Sequence, residues 1–189
     1  MIDLETLSSR PNAVITSIGA VAFNPETSTI GGSFKVNVDP ESGEKLGLHI
    51  SAKTVVWWLQ QSEQARMAML SDPKPLPEAL KLLNAWIRLN AGDDATVWGN
   101  GATFDNVVIS SNYEAAGVYR PWRFKNDWCY RTVKGLYPEV RLERTGTHHD
   151  ALDDAMTQTK HLIELYHKVR GRSPPRPPGP MEAWADNKV

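Results

Sequence analysis

The chain has 189 residues, enough for one domain with a sizeable core and too few for two comfortable ones. Its 41% hydrophobic and 23% charged residues, with seven tryptophans, describe an ordinary globular protein and exclude global disorder. With 21 Lys+Arg against 22 Asp+Glu the net charge is −1, which excludes a strongly basic polyanion binder but not an enzyme that touches only a few phosphates of a single-stranded end.

A single cysteine, Cys129, excludes an intramolecular disulfide and fits a reducing compartment. No charged segment followed by an apolar run opens the chain, and no apolar stretch nears about eighteen residues. The expectation is a cytoplasmic protein with no membrane segment.

In chain order, "MIDLET" starts a short strand, and "AVITSIGAVAF" (Ala13 to Phe23) is the β-branched, glycine-punctuated run of a buried strand. "GGSFKVNV" alternates as a third strand, and the turn signals "SSRPN" and "NPETS" predict antiparallel hairpins. Residues Ser51 to Leu70 read as one helix, and "PLPEALKLLNAWIRLN" as a second with proline near its start. "ATVWGN" is a further strand and "FDNVVISSNYEAAG" a helix closed by Gly117. "RFKNDWCYRTVKGL" is a short strand running into a helix, and the last helix extends from near His149 to Gly171. This order predicts a mixed α/β sheet with helices packed on it, over residues 1–170. From 171 to 189 the prolines of "GRSPPRPPGPMEAWADNKV" predict an extended tail.

Carboxylates are the chemically suggestive residues. Asp3 and Glu5 lie two apart on a strand, so both point to one face, the arrangement that can share a hard cation. Asp105 opens a helix after a glycine-rich turn; taken alone, capping explains it better than chemistry. On the last helix, Leu152, Ala155, Met156, Thr159, Leu162, Ile163 and Tyr166 form the expected buried stripe. Asp150, Asp153, Thr157, Lys160, Glu164 and Lys168 fall opposite, on the expected solvated face. Asp154 sits at the boundary beside Ala151 and Ala155, whose small side chains let a helix approach a sheet. It is therefore favoured over Asp153 as a ligand. Asp3, Glu5, Asp105 and Asp154 together suffice for two Mg²⁺ or Mn²⁺ ions, which prefer oxygen ligands. Two such ions clamp the attacking and leaving oxygens of an in-line phosphoryl displacement. His148 and His149, at the helix entrance, are the local candidates for a general base.

"MIDLET", "NGATFD" and "HDALDD" occur in that order over residues 3 to 154. Together they resemble the D-x-E, F-D and H-x-x-x-x-D motifs of the DEDDh branch of the DnaQ-like 3′–5′ exonucleases. Further stretches, "WGNGATFDNVVI", "TVVWWLQQSEQAR" and "HDALDDA", look most like small phage and prophage exonucleases. Those are described as exodeoxyribonuclease VIII-like or grouped with a related exoribonuclease. The resemblance implies a ribonuclease H-like fold with a five-stranded mixed sheet flanked by helices. It also implies two divalent metals and release of nucleoside 5′-monophosphates from a single-stranded 3′ end. Carried over, the metal ligands are Asp3, Glu5, Asp105 and Asp154, and the general base is His149, because "ALDDA" then matches the family's A-L-x-D-A. His148 is left a neighbour of undecided role. Only Met1 and Ile2 precede Asp3, fewer apolar residues than the family's first strand usually carries, which leaves open a natural start upstream.

Substrate contacts are expected from Thr6 and Leu7 past the first motif, from Trp58 in preference to Trp57, and from Asn100, Phe104 and Asn106 around the second motif. Arg10, Arg123 and Arg131 are candidate phosphate contacts, with surface salt bridges an equal explanation. DNA is slightly favoured as the substrate. A 3′–5′ exoribonuclease is the close alternative, and a non-catalytic nucleic-acid-binding or structural module on the same fold is the alternative from another class. Relatives are often dimers, but no feature of the chain fixes a homodimer interface.

Overall fold

The computed structural model describes residues 1–171; the expected proline-rich tail, beyond Gly171 itself, lies outside the described residues. Three strands, β1 (Ile2–Thr6), β2 (Ile15–Asn24) and β3 (Thr29–Asn37), form the expected antiparallel meander. The β1–β2 register pairs Asp3 with Gly19 and Glu5 with Ser17. The strand period of two therefore commits Ile2 and Leu4 to one core layer and turns Asp3 and Glu5 to the opposite face.

Helices cover both faces. After α1 (Pro40–Glu44), α2 (Ala52–Leu59) and α3 (Glu63–Leu70), the long α4 (Leu76–Ala91) fills the Ile2/Leu4 side. Its Leu76, Ala79, Leu80, Leu83 and Ile87, spaced as a helical stripe, are all at most 3% exposed. Each larger side chain so buried contributes about 1.5–3 kcal/mol. The helix α5 (Asp105–Ala115) packs into the same layer through Val108 and Ile109. On the Asp3/Glu5 side lies α7 (Ala151–Val169), whose Ala155, Leu162 and Leu165 meet Met1, Val21 and Trp98. Contact is tightest at its first turn, where a Cβ built on Gly19 would overlap the Ala151 backbone. Glycine at 19 and alanine at 151 are what let the helix settle on the strand.

Between these lie β4 (Val97–Gly99), β5 (Asp127–Cys129) and α6 (Tyr130–Leu136). The expected single five-stranded sheet resolves instead into two ladders: β1-β2-β3 and a parallel β4-β5 pair. β4 runs close to β1, but it is only three residues long and Gly99 ends it in a turn. The Asp105 carboxylate faces the backbone N–H groups of Leu4 on β1 and Asn100 just past β4, spanning the gap by a side chain.

Two other expectations are corrected. The helix expected over Ser51 to Leu70 is two helices, because the Ser62 hydroxyl accepts the Ala65 N–H and starts a new one. The last helix begins at Ala151, close to the expected start near His149. Asp150 caps it by accepting the Leu152 and Asp153 N–H groups, and also pairs with Lys35, so it is no free solvated residue. Among the described residues, no helix is long and apolar enough to cross a membrane.

Candidate active site

A cavity of about 230 Å³ opens where β1, the Gly101–Asp105 turn, α6 and the first turns of α7 meet. Asp3 and Glu5 reach it from β1, each 8% exposed, and Asp105, 3% exposed, from the start of α5. Asp154 enters from α7. Asp3, Glu5 and Asp154 each offer a carboxylate oxygen within 4.8 Å of the others. Asp105 lines the same cavity without joining that tightest group.

Such crowding is electrostatically costly for carboxylates. Burial, then the repulsion of Asp3 and Asp154, pushes Glu5 up to about 10. Asp3 is raised well above the usual range by burial and by Asp105, against the opposing hydrogen bond from Gln158. Asp105 is raised to about 6, also by burial, with its own N–H and those of Asn100 and Leu4 pulling the other way. Acids in this state call for protons or for a compact cation. The carboxylate donors are oxygen only, hard and multiply charged, so they fit a hard divalent cation.

His149 stands at the mouth in the left-handed region, φ 65, a conformation that costs a non-glycine residue roughly 1–3 kcal/mol. Its backbone N–H donates to Asp154 Oδ2 at 3.2 Å, which ties the strained residue to the carboxylate. The ring stacks on His148 with centroids 3.8 Å apart and meets the Trp57 ring edge-on at 4.9 Å. Burial, and then the neighbouring His148, lower its pKa, favouring the neutral imidazole that can accept a proton. One ligand atom each from His148, His149 and Asp154 also lies within 4.8 Å of the others, with His148 the exposed member.

The five residues expected from the motifs are thus brought to one cavity; of the expected substrate contacts, Thr6 and Trp58 line an adjoining pocket with Glu5, Trp57 and Phe104. Trp58 is 3% exposed and its indole N–H donates to the Thr6 carbonyl at 2.9 Å, whereas Trp57, 40% exposed, faces His149. Thr6 is itself buried, its hydroxyl donating to the Ser8 carbonyl, and Leu7 packs into two core clusters. Asn106 is 4% exposed and turned away from the acids, its Nδ2 directed to the Val97 carbonyl and to Asp127 at the β4–β5 pair. Asn100 and Phe104 do line the cavity. Arg131 lines it as well, while Arg123 pairs with Asp94.

The face of α7 expected to be solvated is partly enclosed by the 137–150 loop. Thr157, 2% exposed, donates its hydroxyl to the Thr145 carbonyl, and Asp153 accepts the Thr147 N–H at 2.7 Å beneath Gly146. Farther along, His161 Nε2 donates to the Val140 carbonyl, so its Nδ1 accepts from the Tyr130 hydroxyl. Gln158 and Arg144, both bonded to the acids, went unanticipated. Gln158 donates to Asp3 Oδ1 at 2.6 Å from a buried position. Arg144 donates to Asp154 Oδ1 at 3.1 Å. Gln158 had a signal, lying one helical turn beyond Asp154; Arg144, in a loop, had none.

Comparisons with known proteins identify a family and a shared fold. The family model described as the 3′-5′ exoribonuclease Rv2179c-like domain matches residues 1–166. Among solved structures, the nuclease domain of 3′hExo, a DEDDh family member, bound to rAMP, superposes with a TM-score of 0.64 at 17% identity, covering 88% of this chain and 90% of that one. A 3′-exonuclease described in 3′-end specific recognition of histone mRNA stem-loop gives 0.59 at 15% identity, covering 88% and 80%. A full-length 3′-exonuclease gives 0.57 at 14%, covering 89% and 60%. No curated protein sequence matches the chain.

Proposed function

Because the chain belongs to the Rv2179c-like 3′-5′ exoribonuclease domain family, and is on that ground a 3′–5′ exonuclease, we propose that it removes nucleoside 5′-monophosphates from single-stranded 3′ ends with two divalent metal ions. The observation that carries this reading is the convergence of Asp3, Glu5 and Asp154 within 4.8 Å, with His149 against Asp154. Asp3, Glu5, Asp105 and Asp154 would hold Mg²⁺ or Mn²⁺, which when bound supply charge stabilisation for the attacking and leaving oxygens.

The chain's own residues do the rest. His149, neutral at a ring nitrogen, accepts the proton of the attacking water as its oxygen bonds to phosphorus and the bond to the 3′-oxygen of the upstream nucleotide breaks. Its strained backbone and its stacking on His148 hold the ring over the cavity. Gln158 holds one oxygen of Asp3 by a hydrogen bond and so fixes the orientation of that carboxylate. Trp57 offers the terminal base an exposed aromatic ring, and a base stacked on such a ring gains about 1–3 kcal/mol.

RNA is the substrate favoured here, on the family's description and the rAMP bound to a neighbour of the same fold; DNA is the alternative. Matched DNA and RNA oligonucleotides incubated with Mg²⁺ or Mn²⁺ test both. Mononucleotide release from the 3′ end, faster on RNA, is expected; no release from either would overturn the proposal. Calorimetry supplies a second arm: Asp154→Asn should weaken metal binding far more than Asp153→Asn, whose carboxylate is engaged by Thr147.

A further inference from the structure

The mouth of the cavity has two unlike sides. On the α2 side stands Trp57, edge-on to His149, while Arg66 of α3 turns its guanidinium to the Leu59 and Gln61 carbonyls. On the α6 side stand Arg131 and Lys134, three residues apart on one helical face, both exposed and both lining the cavity. Neither makes an ion pair among the described residues, whereas Arg88, Arg120, Arg123, Arg144 and Arg170 all do. The guanidinium of Arg131 lies against Gly101, its Cζ 3.4 Å from where a Cβ would stand.

A phosphodiester entering a pocket of four carboxylates is repelled by them, and cations at the rim offset that repulsion. We propose that α6 is the track along which the 5′ body of the substrate strand leaves the cavity, Arg131 and Lys134 each neutralising a backbone phosphate upstream of the scissile one. The inference rests on the exonuclease reading above. It adds a direction: the terminal nucleotide lies toward Trp57, and the remaining chain passes over Arg131 and then Lys134. Arg144 stands apart from this pair, because its guanidinium reaches Asp154 and belongs to the reacting centre.

The test uses a 5′-fluorescein-labelled hexauridylate and the unlabelled dinucleotide UpU, with His149→Ala in every protein to stop turnover. Anisotropy titrations at several salt concentrations give the affinity and its salt slope. Abolishing the neutralisation of one single-strand phosphate should make the slope shallower by about 0.7, so Arg131→Gln with Lys134→Gln should lower it by about 1.4 and weaken hexamer binding roughly tenfold or more. The UpU affinity, measured by competition, should change less than about twofold, since only the scissile phosphate is present. Arg123→Gln, whose partner is Asp94 outside the cavity, should leave the slope unchanged. Hexamer binding with an unaltered slope in the double variant overturns the track and leaves the exonuclease reading standing. An equal weakening on UpU also overturns it, by placing the two cations at the scissile phosphate. Failure of any oligonucleotide to bind overturns both.

Discussion

From Ala151 to Thr159, α7 buries Thr157, Gln158 and Thr159 beside its two alanines; from Leu162 to Leu165 it buries hydrocarbon against Met1, Val21 and Trp98. The helix is the same and the solvent exclusion is similar, but the partners differ. The second half is held by transfer of apolar surface out of water, a non-directional contribution. The first half is held by directed contacts: Gln158 to Asp3, Thr157 to Thr145, and the Asp150 cap. Stability and chemistry are thereby segregated along one rod, and substitutions at its two ends should separate them.

The largest separation is expected at the entrance. His149→Ala should lower turnover by about 10²- to 10⁴-fold, the span of a missing general base, with little change in melting temperature. His148→Ala should cost much less turnover; equal effects would assign the proton transfer to the stacked pair. Next comes Leu165→Ala, at a fully buried position. It should destabilise the fold by about 2–5 kcal/mol in denaturant titration while leaving metal affinity of the folded protein unchanged. A parallel drop in metal affinity would break the contrast between the two ends.

A third effect is a matter of pH. Glu5 is pushed up to about 10 from an ordinary 4.5, so between those values the folded protein holds a proton that the unfolded chain has released. Stability from that proton is fully present below the ordinary value and is lost as pH rises toward about 10. Melting temperatures of the chelator-treated protein should therefore fall from pH 5 to 9, and Glu5→Gln should flatten the decline. A wild-type profile already flat over that interval would contradict the burial of the acids.

Much of this was readable in the chain because it is local. The pairing of Asp3 with Glu5 follows from a strand's period, and the alanines flanking Asp154 mark where a helix approaches a sheet. What was not readable depends on segments that meet only in space. Thr157 looked solvated because helical periodicity knows the core but not a loop that returns over the outer face. Trp57 and Trp58 are equivalent in composition, and only the position of the Thr6 carbonyl decides which one is anchored. The split of the sheet arose from the shortness of β4, which sequence alone did not bound. Arg144 and Asn106 likewise took their partners from distant or neighbouring elements that no spacing rule connects.

Gly19 makes one further demand on the molecule. It pairs with Asp3 on one side and touches the Ala151 backbone on the other, so a single missing methyl group sets the separation of two carboxylates from opposite ends of the chain. Mg²⁺ requires oxygens at about 2.0–2.1 Å and Ca²⁺ accepts about 2.3–2.6 Å, so a few tenths of an ångström discriminate between ions. Position 19 bears no ligand and no charge, yet its backbone contact with Ala151 sets how near the first turn of α7, and Asp154 with it, comes to Asp3.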